Sequence, residues 1–294
     1  MHSYLKSIGF ACCKTNQVEE KLLDEVIDSA MRRSQISIRP ETDIQFAEYS
    51  LDFCEDMGIT VRGQIDEEDN FHIDHYFPYL RPRNITSNEE VFINKRSDSD
   101  SYAALCDDMR VGVSLIFYLQ NAIDFLRNNR FDTNNFVLPT KLSGLAAEGA
   151  ILLPTLRSMK DIDESKIEIS KHVKMISDAK NGNQEAIEKL TIEEIDNYAL
   201  VGKRVKTEDV FSIVDTSFAP YGMESEVYKI LGVILSVEER VNRATHEHLY
   251  VMEIYCNHLV FDVCINEENL LGQPAVGRRF RGVIWLQGLV EFGK

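Results

Sequence analysis

The sequence predicts an α+β protein: an antiparallel sheet domain with flanking helices, a helical connector, and a small C-terminal all-β module, of which an OB-like barrel is one form. Three observations support this prediction. The chain has 294 residues with 44% hydrophobic content, which suffices for a sizeable core and favours two domains. Short β-type apolar runs follow Pro40 and return after Glu226. Between them, the segment 161–199 is charged and has helical periodicity.

The first predicted domain covers residues 1–155. Asn16 and Glu19 fit a capping box, and apolar residues at helical spacing follow to about residue 33. Three β-type runs then indicate an antiparallel meander: "DIQFAEYSLDFC", "GITVRGQI" and "FHIDHYFPYL". The polar stretch 87–101 is predicted to be a solvated excursion away from the core.

The rest of this domain is predicted to add strands to the same sheet. The stretch "YAALCDDMRVGVSLIFYL" supplies two strands, and "QNAIDFLRNN" begins a helix. The stretch "KLSGLAAEGAILLP" predicts a tight hairpin around Glu148 and Gly149. Strands that return to one sheet in this way would complete an α+β domain near residue 155.

The second and third predicted parts are a helical connector with an irregular segment, 156–225, and a β-rich module, 226–294. In the connector, Gly182 can end one helix and Asn183 can cap the next. In the module, a tight turn at Asn257 and His258 would place His248 opposite Glu267. The last strand of the module is "GRRFRGVIWLQG".

Composition bounds the compartment and the partners. The chain has 32 basic and 48 acidic residues, and its net charge of −16 repels polyanions at long range. Six cysteines without a secretion signal are typical of thiols in a reducing cytoplasm. The longest apolar run, "VGVSLIFYL", is far shorter than the roughly 20 residues that cross a bilayer, so no membrane association is predicted.

The last strand carries the main candidate site. Side chains alternate along a strand, so Arg279, Arg281 and Trp285 share one face. Such a face can clasp a phosphate and stack a ring, as small barrels that bind single strands do. The acidic charge instead favours docking, in which the arginines pair with carboxylates of another domain or subunit while Trp285 packs in the junction. Asp215 and Tyr221, in "VDTSFAPYG", are further candidates for ligand binding.

No catalytic residue, cofactor or metal site is predicted. The chain lacks the G-x-S-x-G, Walker A, G-x-G-x-x-G and H-E-x-x-H motifs. The stretch "DEEDNFHIDHY" concentrates possible metal ligands, but strand alternation leaves only two good ones on a face, whereas a zinc site needs three or four.

An uncharacterised family of bacterial cytoplasmic proteins, from clostridia and related Firmicutes, is similar to this chain in five segments: "MHSYLKSIGF", "EDVFSIVDTSFAPYG", "ILGVILSVEE", "CNHLVFDVCINEENLLGQP" and "VGRRFRGVIWLQG". The resemblance covers both ends of the chain. It implies a bacterial source and a domain of unknown function, and it supplies no catalytic residues.

The leading functional prediction is a non-enzymatic binding or protein-interaction protein, with a protein partner or a second copy of itself as the partner. The alternative is a single-stranded nucleic acid or nucleotide binder that acts through the C-terminal β module, which the acidic charge disfavours. A second alternative is a small-molecule enzyme with an interdomain cleft.

Overall fold

The computed structural model of the protein describes residues 2–13, 15–37, 45–96, 101–108, 110–111, 114–128, 135–153, 183–186, 188–189, 216–222 and 225–292. Within these ranges the chain is mostly β, since two α-helices accompany fifteen strands. The α+β prediction therefore overstated the helical part of the described chain. None of the helices in these ranges has the length and apolar character needed to cross a membrane.

The smaller sheet is an antiparallel meander of four strands in the order β1-β2-β3-β4. Its strands and the helices before it are η1 (Leu5–Ile8), α1 (Asn16–Asp28), β1 (Arg32–Ser37), β2 (Gln45–Cys54), β3 (Met57–Ile65) and β4 (Phe71–Leu80). The meander predicted from β2 to β4 is confirmed. Helix α1 ends earlier than predicted because Arg32 already begins a strand.

The larger sheet has eleven strands. Helix α2 (Ala122–Asn128) lies between two of these strands along the chain. Its strands are β5 (Glu90–Lys95), β6 (Tyr102–Cys106), β7 (Leu115–Leu119), β8 (Asn135–Val137), β9 (Thr140–Leu152), β10 (Ser217–Pro220), β11 (Val227–Val241), β12 (His248–Cys256), β13 (Leu259–Asn266), β14 (Leu270–Leu271) and β15 (Arg279–Val290). A short 3-10 turn, η2 (Glu267–Asn269), connects β13 to β14.

Five strands of the larger sheet close into a barrel. Strands β11, β12 and β13 pair in sequence, β13 pairs with β9 in parallel, and β15 pairs with both β9 and β11 in antiparallel. The barrel interior is apolar, and Ile254, Phe280, Ile284 and Leu286 are fully buried there. Closure leaves these five strands without an exposed hydrogen-bonding edge along most of their length.

The hairpin predicted around Glu148 and Gly149 is wrong, because β9 runs through both residues as one strand of 13 residues. A Cβ atom on Gly149 would lie 2.5 Å from the ring of Phe280. The glycine therefore leaves room for the Phe280 ring that packs over it, and it does not mark a turn. Strand β9 precedes residue 155 yet pairs with β13 and β15, so hydrogen bonds of one sheet cross that boundary. The division into 1–155, 156–225 and 226–294 stays a prediction.

The segment 87–101 differs from its prediction, whereas the turn at Asn257 and His258 agrees with it. The supposed excursion at 87–101 contains β5, in which Val91 and Ile93 are buried, so two alternating apolar residues were enough for a core strand. The turn at Asn257 and His258 is confirmed: both residues have positive φ, and Cys256 pairs with Leu259.

Most of the predicted connector lies outside the described residues. Within its described part, the side chain of Asn183 accepts hydrogen bonds from the backbone N–H groups of Glu185 and Ala186, so the predicted helix cap is confirmed.

The two sheets share a second apolar cluster on the outer surface of the barrel. Leu145, Val251 and Trp285 project outward from barrel strands, and Leu5 and Ile8 of η1 pack against them. Strands β2, β3 and β4 and helix α1 contribute further residues to this cluster. The N-terminal segment is thus the layer that joins the smaller sheet to the barrel.

Candidate functional site

The outward face of β15 is built into the junction between the sheets. Trp285 is only 7% exposed, and its ring stacks on Tyr4 with 5.5 Å between the ring centroids. The rings of His2 and Tyr118 lie 4.7 Å and 5.0 Å from it. The aromatic surface that a base would need is occupied by residues of the same chain.

The two arginines of the strand differ in exposure. Arg279 is 4% exposed, and its Nε donates a hydrogen bond of 3.1 Å to the carbonyl of Leu153. Arg281 is half-buried and lies opposite Ala150 of β9. The face that carries both guanidinium groups therefore borders the end of β9 and does not form a wide open groove.

The predicted site residue Tyr221 does not converge on Trp285. The side chain of Tyr221 is 58% exposed, and its backbone N–H donates a hydrogen bond of 2.8 Å to the carbonyl of Val227. Val227 lies opposite Trp285 across β11 and β15, but Trp285 faces the junction while Tyr221 faces solvent. Asp215 lies outside the described residues.

The junction at Trp285 predicts a pH dependence of stability through His2. Burial lowers the pKa of His2 from 6.5 to about 4, although the nearby carboxylate of Glu19 opposes this change. The unfolded chain then binds a proton between pH 6.5 and 4 that the folded chain does not, so stability is present above pH 6.5 and is lost as the pH falls toward 4. The loss is at most about 3 kcal/mol.

Urea unfolding at a series of pH values tests this expectation. Between pH 6.5 and 4, His2→Phe should remove the part of the pH dependence of the unfolding free energy that His2 causes. Substitution of the exposed His248 should leave that part unchanged. A wild-type slope that persists in His2→Phe would contradict the assignment.

A separate polar cleft lies between the smaller sheet and the end of the larger one, with a volume of about 830 Å³. We call it the inter-sheet cleft. Strands β1 to β4 form one wall, and α2 with the ends of β7, β9 and β15 forms the other. Its polar and charged lining residues are Arg32, Ser34, Glu48, Ser50, Thr60, Tyr79, Arg81, Gln120, Asn121, Asp124, Asn128, Lys141 and Glu291.

One end of the inter-sheet cleft is cationic. Arg32 donates two hydrogen bonds of 2.6 Å to the carboxylate of Asp52, and both residues also bind the hydroxyl of Tyr79. Burial would raise the pKa of Asp52, but the hydrogen bonds from Arg32 and Tyr79 outweigh it and hold that pKa below its usual value. The guanidinium group of Arg81 lies over the Tyr79 ring, 5.6 Å from its centroid. Arg81 has no carboxylate or carbonyl acceptor for its side chain in the described part of the chain.

The other end contains the carboxylate of Glu48, whose charge is paired with that of Arg62. Glu48 accepts a hydrogen bond of 2.5 Å from Nε of Arg62 through its Oε1 atom. Arg62 is fully buried, and it also donates to the hydroxyl of Tyr118 and to the carbonyls of Leu119 and Gln120. Burial raises the pKa of Glu48, and the charge of Arg62 opposes that rise. The Oε2 atom of Glu48 accepts no hydrogen bond from the described chain.

Between the two ends, strands β2 and β3 contribute hydroxyl groups to the wall of the inter-sheet cleft. The hydroxyl groups of Ser50 and Thr60 lie 2.8 Å apart and share one hydrogen bond, which leaves one hydroxyl proton available. Nε of Arg32 is buried without a hydrogen-bond partner in the described structure. Lys141 and Glu291 form an ion pair of 2.6 Å on the opposite wall.

No metal site is found among the described residues, where no group of three or more His, Cys, Asp or Glu side chains is placed to hold an ion. In "DEEDNFHIDHY", the stretch that concentrates possible metal ligands, Asp66 closes the turn between β3 and β4. It accepts hydrogen bonds from the backbone of Glu68 and Asn70 and from the ring of His72. The bond from His72, followed by those from Asn70, lowers the pKa of Asp66.

One known protein family matches this chain. The family model described as "Domain of unknown function, E. rectale Gene description (DUF3881)" matches residues 5–288. The chain belongs to the DUF3881 family. The resemblance to a clostridial family with a domain of unknown function is therefore confirmed. Searches of the curated proteins and of the solved structures return no match for this DUF3881 protein.

The sequence reasoning missed the inter-sheet cleft of this DUF3881 protein, although one signal for it was present. Glu48 and Arg62 each interrupt an apolar strand, in "FAEYSL" and "ITVRGQI". Opposite charges in adjacent buried strands indicate a paired site, because an isolated charge is too costly to bury. The contacts of Arg32 with Tyr79 and of Arg62 with Leu119 join distant parts of the chain and have no local signal.

Proposed function

We propose that this protein is a non-enzymatic binding protein whose ligand is a small molecule held in the inter-sheet cleft. The observation that carries this proposal is the set of unpaired polar groups there: the guanidinium of Arg81, Nε of Arg32 and Oε2 of Glu48. A buried donor is nearly always satisfied in native proteins, so the unpaired Nε of Arg32 supports a bound partner that supplies an acceptor. The guanidinium of Arg81 and Oε2 of Glu48 are open to the same cavity and offer that partner further polar contacts.

The ionisable groups of the cationic end suit binding better than catalysis. The pKa of Asp52 is lowered, whereas burial and the bond to Asp52 raise that of Tyr79, so neither exchanges a proton near neutral pH. Glu48 is the exception, because a buried carboxyl with a raised pKa is a usual general acid. It supports the enzyme alternative, which Glu48→Gln distinguishes: an enzyme would lose turnover and keep binding.

The closed barrel of five strands supports an OB-like assignment of the C-terminal module. One of these strands, β9, comes from the earlier part of the chain. Binding of single-stranded nucleic acid through this barrel has less support, because residues 2–13 cover Trp285. A protein partner or a second copy of the chain stays a prediction of the sequence. The six free cysteines support a reducing, cytoplasmic location.

The proposal predicts that Arg81→Gln weakens ligand binding and leaves the fold intact. A thermal-shift screen of small polar metabolites identifies binders, and calorimetry then measures their affinity for each variant. A lost charge-assisted hydrogen bond costs about 1.5–3 kcal/mol, so we expect affinity to fall roughly 10- to 100-fold. The free energy of unfolding should change by no more than about 1 kcal/mol, because within the described residues the side chain of Arg81 donates no hydrogen bond and its contact with the Tyr79 ring is weak.

Lys229→Gln is the matched control, since it removes one positive charge from an exposed position on the barrel. It should bind like the wild type. The proposal fails if no compound shifts the unfolding temperature, or if Arg81→Gln and Lys229→Gln bind a hit equally well.

A further inference from the structure

We infer that the ligand of the inter-sheet cleft is an extended zwitterion of the dipeptide class, with its carboxylate on Arg81 and its ammonium group on Glu48. This inference rests on the proposed function and adds the chemical class of the ligand. Two features of the inter-sheet cleft carry it: the balance of its charges and the distance between its two ends.

The charges that line the inter-sheet cleft balance. Three cations and three anions contribute to its walls: Arg32, Arg81, Lys141, Glu48, Asp124 and Glu291. Two of the three unpaired groups lie at opposite ends and have opposite signs, Arg81 at one and Glu48 at the other. A simple anion would satisfy Arg81 and leave Glu48 unsatisfied, whereas a zwitterion satisfies both.

The overall charge of the protein favours the same class. A net charge of −16 repels phosphates and dicarboxylates as they approach, and this repulsion is strongest at low salt. A zwitterion carries no net charge and avoids the repulsion. It can still form a charge-assisted hydrogen bond at each end after it enters.

The length of the ligand follows from strand geometry. Glu48 and Asp52 lie on the same face of β2, four residues apart. Their Cα atoms are therefore about 13 Å apart along the strand. Arg81 reaches the level of Asp52, because its guanidinium folds back over Tyr79, which binds Asp52. A dipeptide spans about 7 Å, and a hydrogen bond of about 2.9 Å at each end extends this to about 13 Å. A free amino acid is too short, since its two charged groups share one carbon.

The middle of the inter-sheet cleft suits a peptide group. The hydroxyl pair of Ser50 and Thr60 lies between the ends and offers both a donor and an acceptor. Phe77 and Ile123 provide apolar surface beside it for small side chains.

Calorimetric titration of the wild-type protein with four probes tests the inference. The probes are alanyl-alanine, its N-acetyl derivative, its C-terminal amide, and free alanine. We expect alanyl-alanine to bind, and each of the other three to bind at least tenfold more weakly, because each loses one charged contact or cannot span the two ends. These probes leave the protein unaltered, so folding cannot confuse the result.

A thermodynamic cycle assigns each contact to its residue. In Arg81→Gln, alanyl-alanine and its amide should bind equally weakly. In Glu48→Gln, the N-acetyl derivative should bind as well as the parent, with circular dichroism confirming that this variant folds. Should Glu48→Gln not fold, the wild-type comparison of the parent with its N-acetyl derivative decides the same contact.

The outcomes separate the two proposals. If N-acetyl-alanyl-alanine binds as tightly as the parent, the zwitterion inference is overturned and an anion site at Arg81 remains. If no peptide binds but another compound binds in an Arg81-dependent manner, the inference fails and the proposed function stands. If nothing binds in the inter-sheet cleft, both fail.

Discussion

Arg62→Met should lower the free energy of unfolding by about 3–5 kcal/mol. Arg62 is the largest fully buried side chain of the described structure, and it holds Glu48, the Tyr118 hydroxyl and two backbone carbonyls. Methionine fills similar volume but donates no hydrogen bond. Its introduction leaves a buried carboxylate and two carbonyls without donors, and the cost of that desolvation dominates the loss.

Urea unfolding measured by fluorescence of the single tryptophan, Trp285, provides the test. The double variant Arg62→Met/Glu48→Leu is the informative control, because it removes the whole ion pair. It should cost less than the sum of the two single substitutions, since neither charge is left unpaired. A loss below about 1 kcal/mol for Arg62→Met would contradict a structural role for this residue.

The second large effect is expected for Trp285→Ala, which should also lower the free energy of unfolding by about 3–5 kcal/mol. Trp285 fills the junction among the barrel, the N-terminal segment and the smaller sheet, where it contacts His2, Tyr4 and Tyr118. Alanine would leave a cavity that three layers cannot easily close. Because the layers meet at this residue, the variant should weaken the attachment of residues 2–13 as well.

Circular dichroism during urea unfolding measures this change without tryptophan fluorescence. Trp285→Phe is the matched control, because it keeps an aromatic ring beside Tyr4, and it should lose only about 1–2 kcal/mol. Amide hydrogen exchange should accelerate in η1 for the alanine variant. A Trp285→Ala protein as stable as the wild type would show that the N-terminal segment does not depend on this face of β15.

The sequence predicted elements well where the signal is local. Alternating apolar residues identified β2, β3 and β4, and turn chemistry located the hairpin at Asn257 and His258. Prediction failed where a tertiary contact decides the outcome. Gly149 resembles a turn residue, yet the ring of Phe280 on a neighbouring strand requires a glycine there. The parallel pairing of β9 with β13 joins segments more than a hundred residues apart, and no local pattern encodes it.

The candidate site shows the same division. The alternation along β15 was predicted, and the structure places Trp285 outside the barrel while Phe280 and Leu286 lie inside it. The inter-sheet cleft was not predicted, since its walls come from two sheets whose relative position the sequence does not reveal. The local sequence around its residues also gives weak evidence of a site. Arg81 directly follows a strand, where a charged residue is common, and only the charges of Glu48 and its partner Arg62 interrupt apolar runs.

We propose different roles for the two arginine-containing regions. The arginines of β15 border the barrel rim, and the tryptophan beside them stabilises the contact between the sheets. Arg81 instead lies in a polar cavity, and its side chain has no hydrogen-bond acceptor within the ranges that the structure describes. Of the two regions, the inter-sheet cleft has the stronger physical argument for a ligand, because in the described part of the chain it combines a buried unpaired donor with further polar groups of both signs that face the cavity.

A structure of the protein soaked with the tightest compound from the metabolite screen tests the central claim most directly. The account predicts that the compound lies in the inter-sheet cleft, with an anionic group within about 3 Å of the Arg81 guanidinium. A compound bound instead at Trp285 on the barrel surface, with residues 2–13 displaced and the inter-sheet cleft filled only by water, would contradict it.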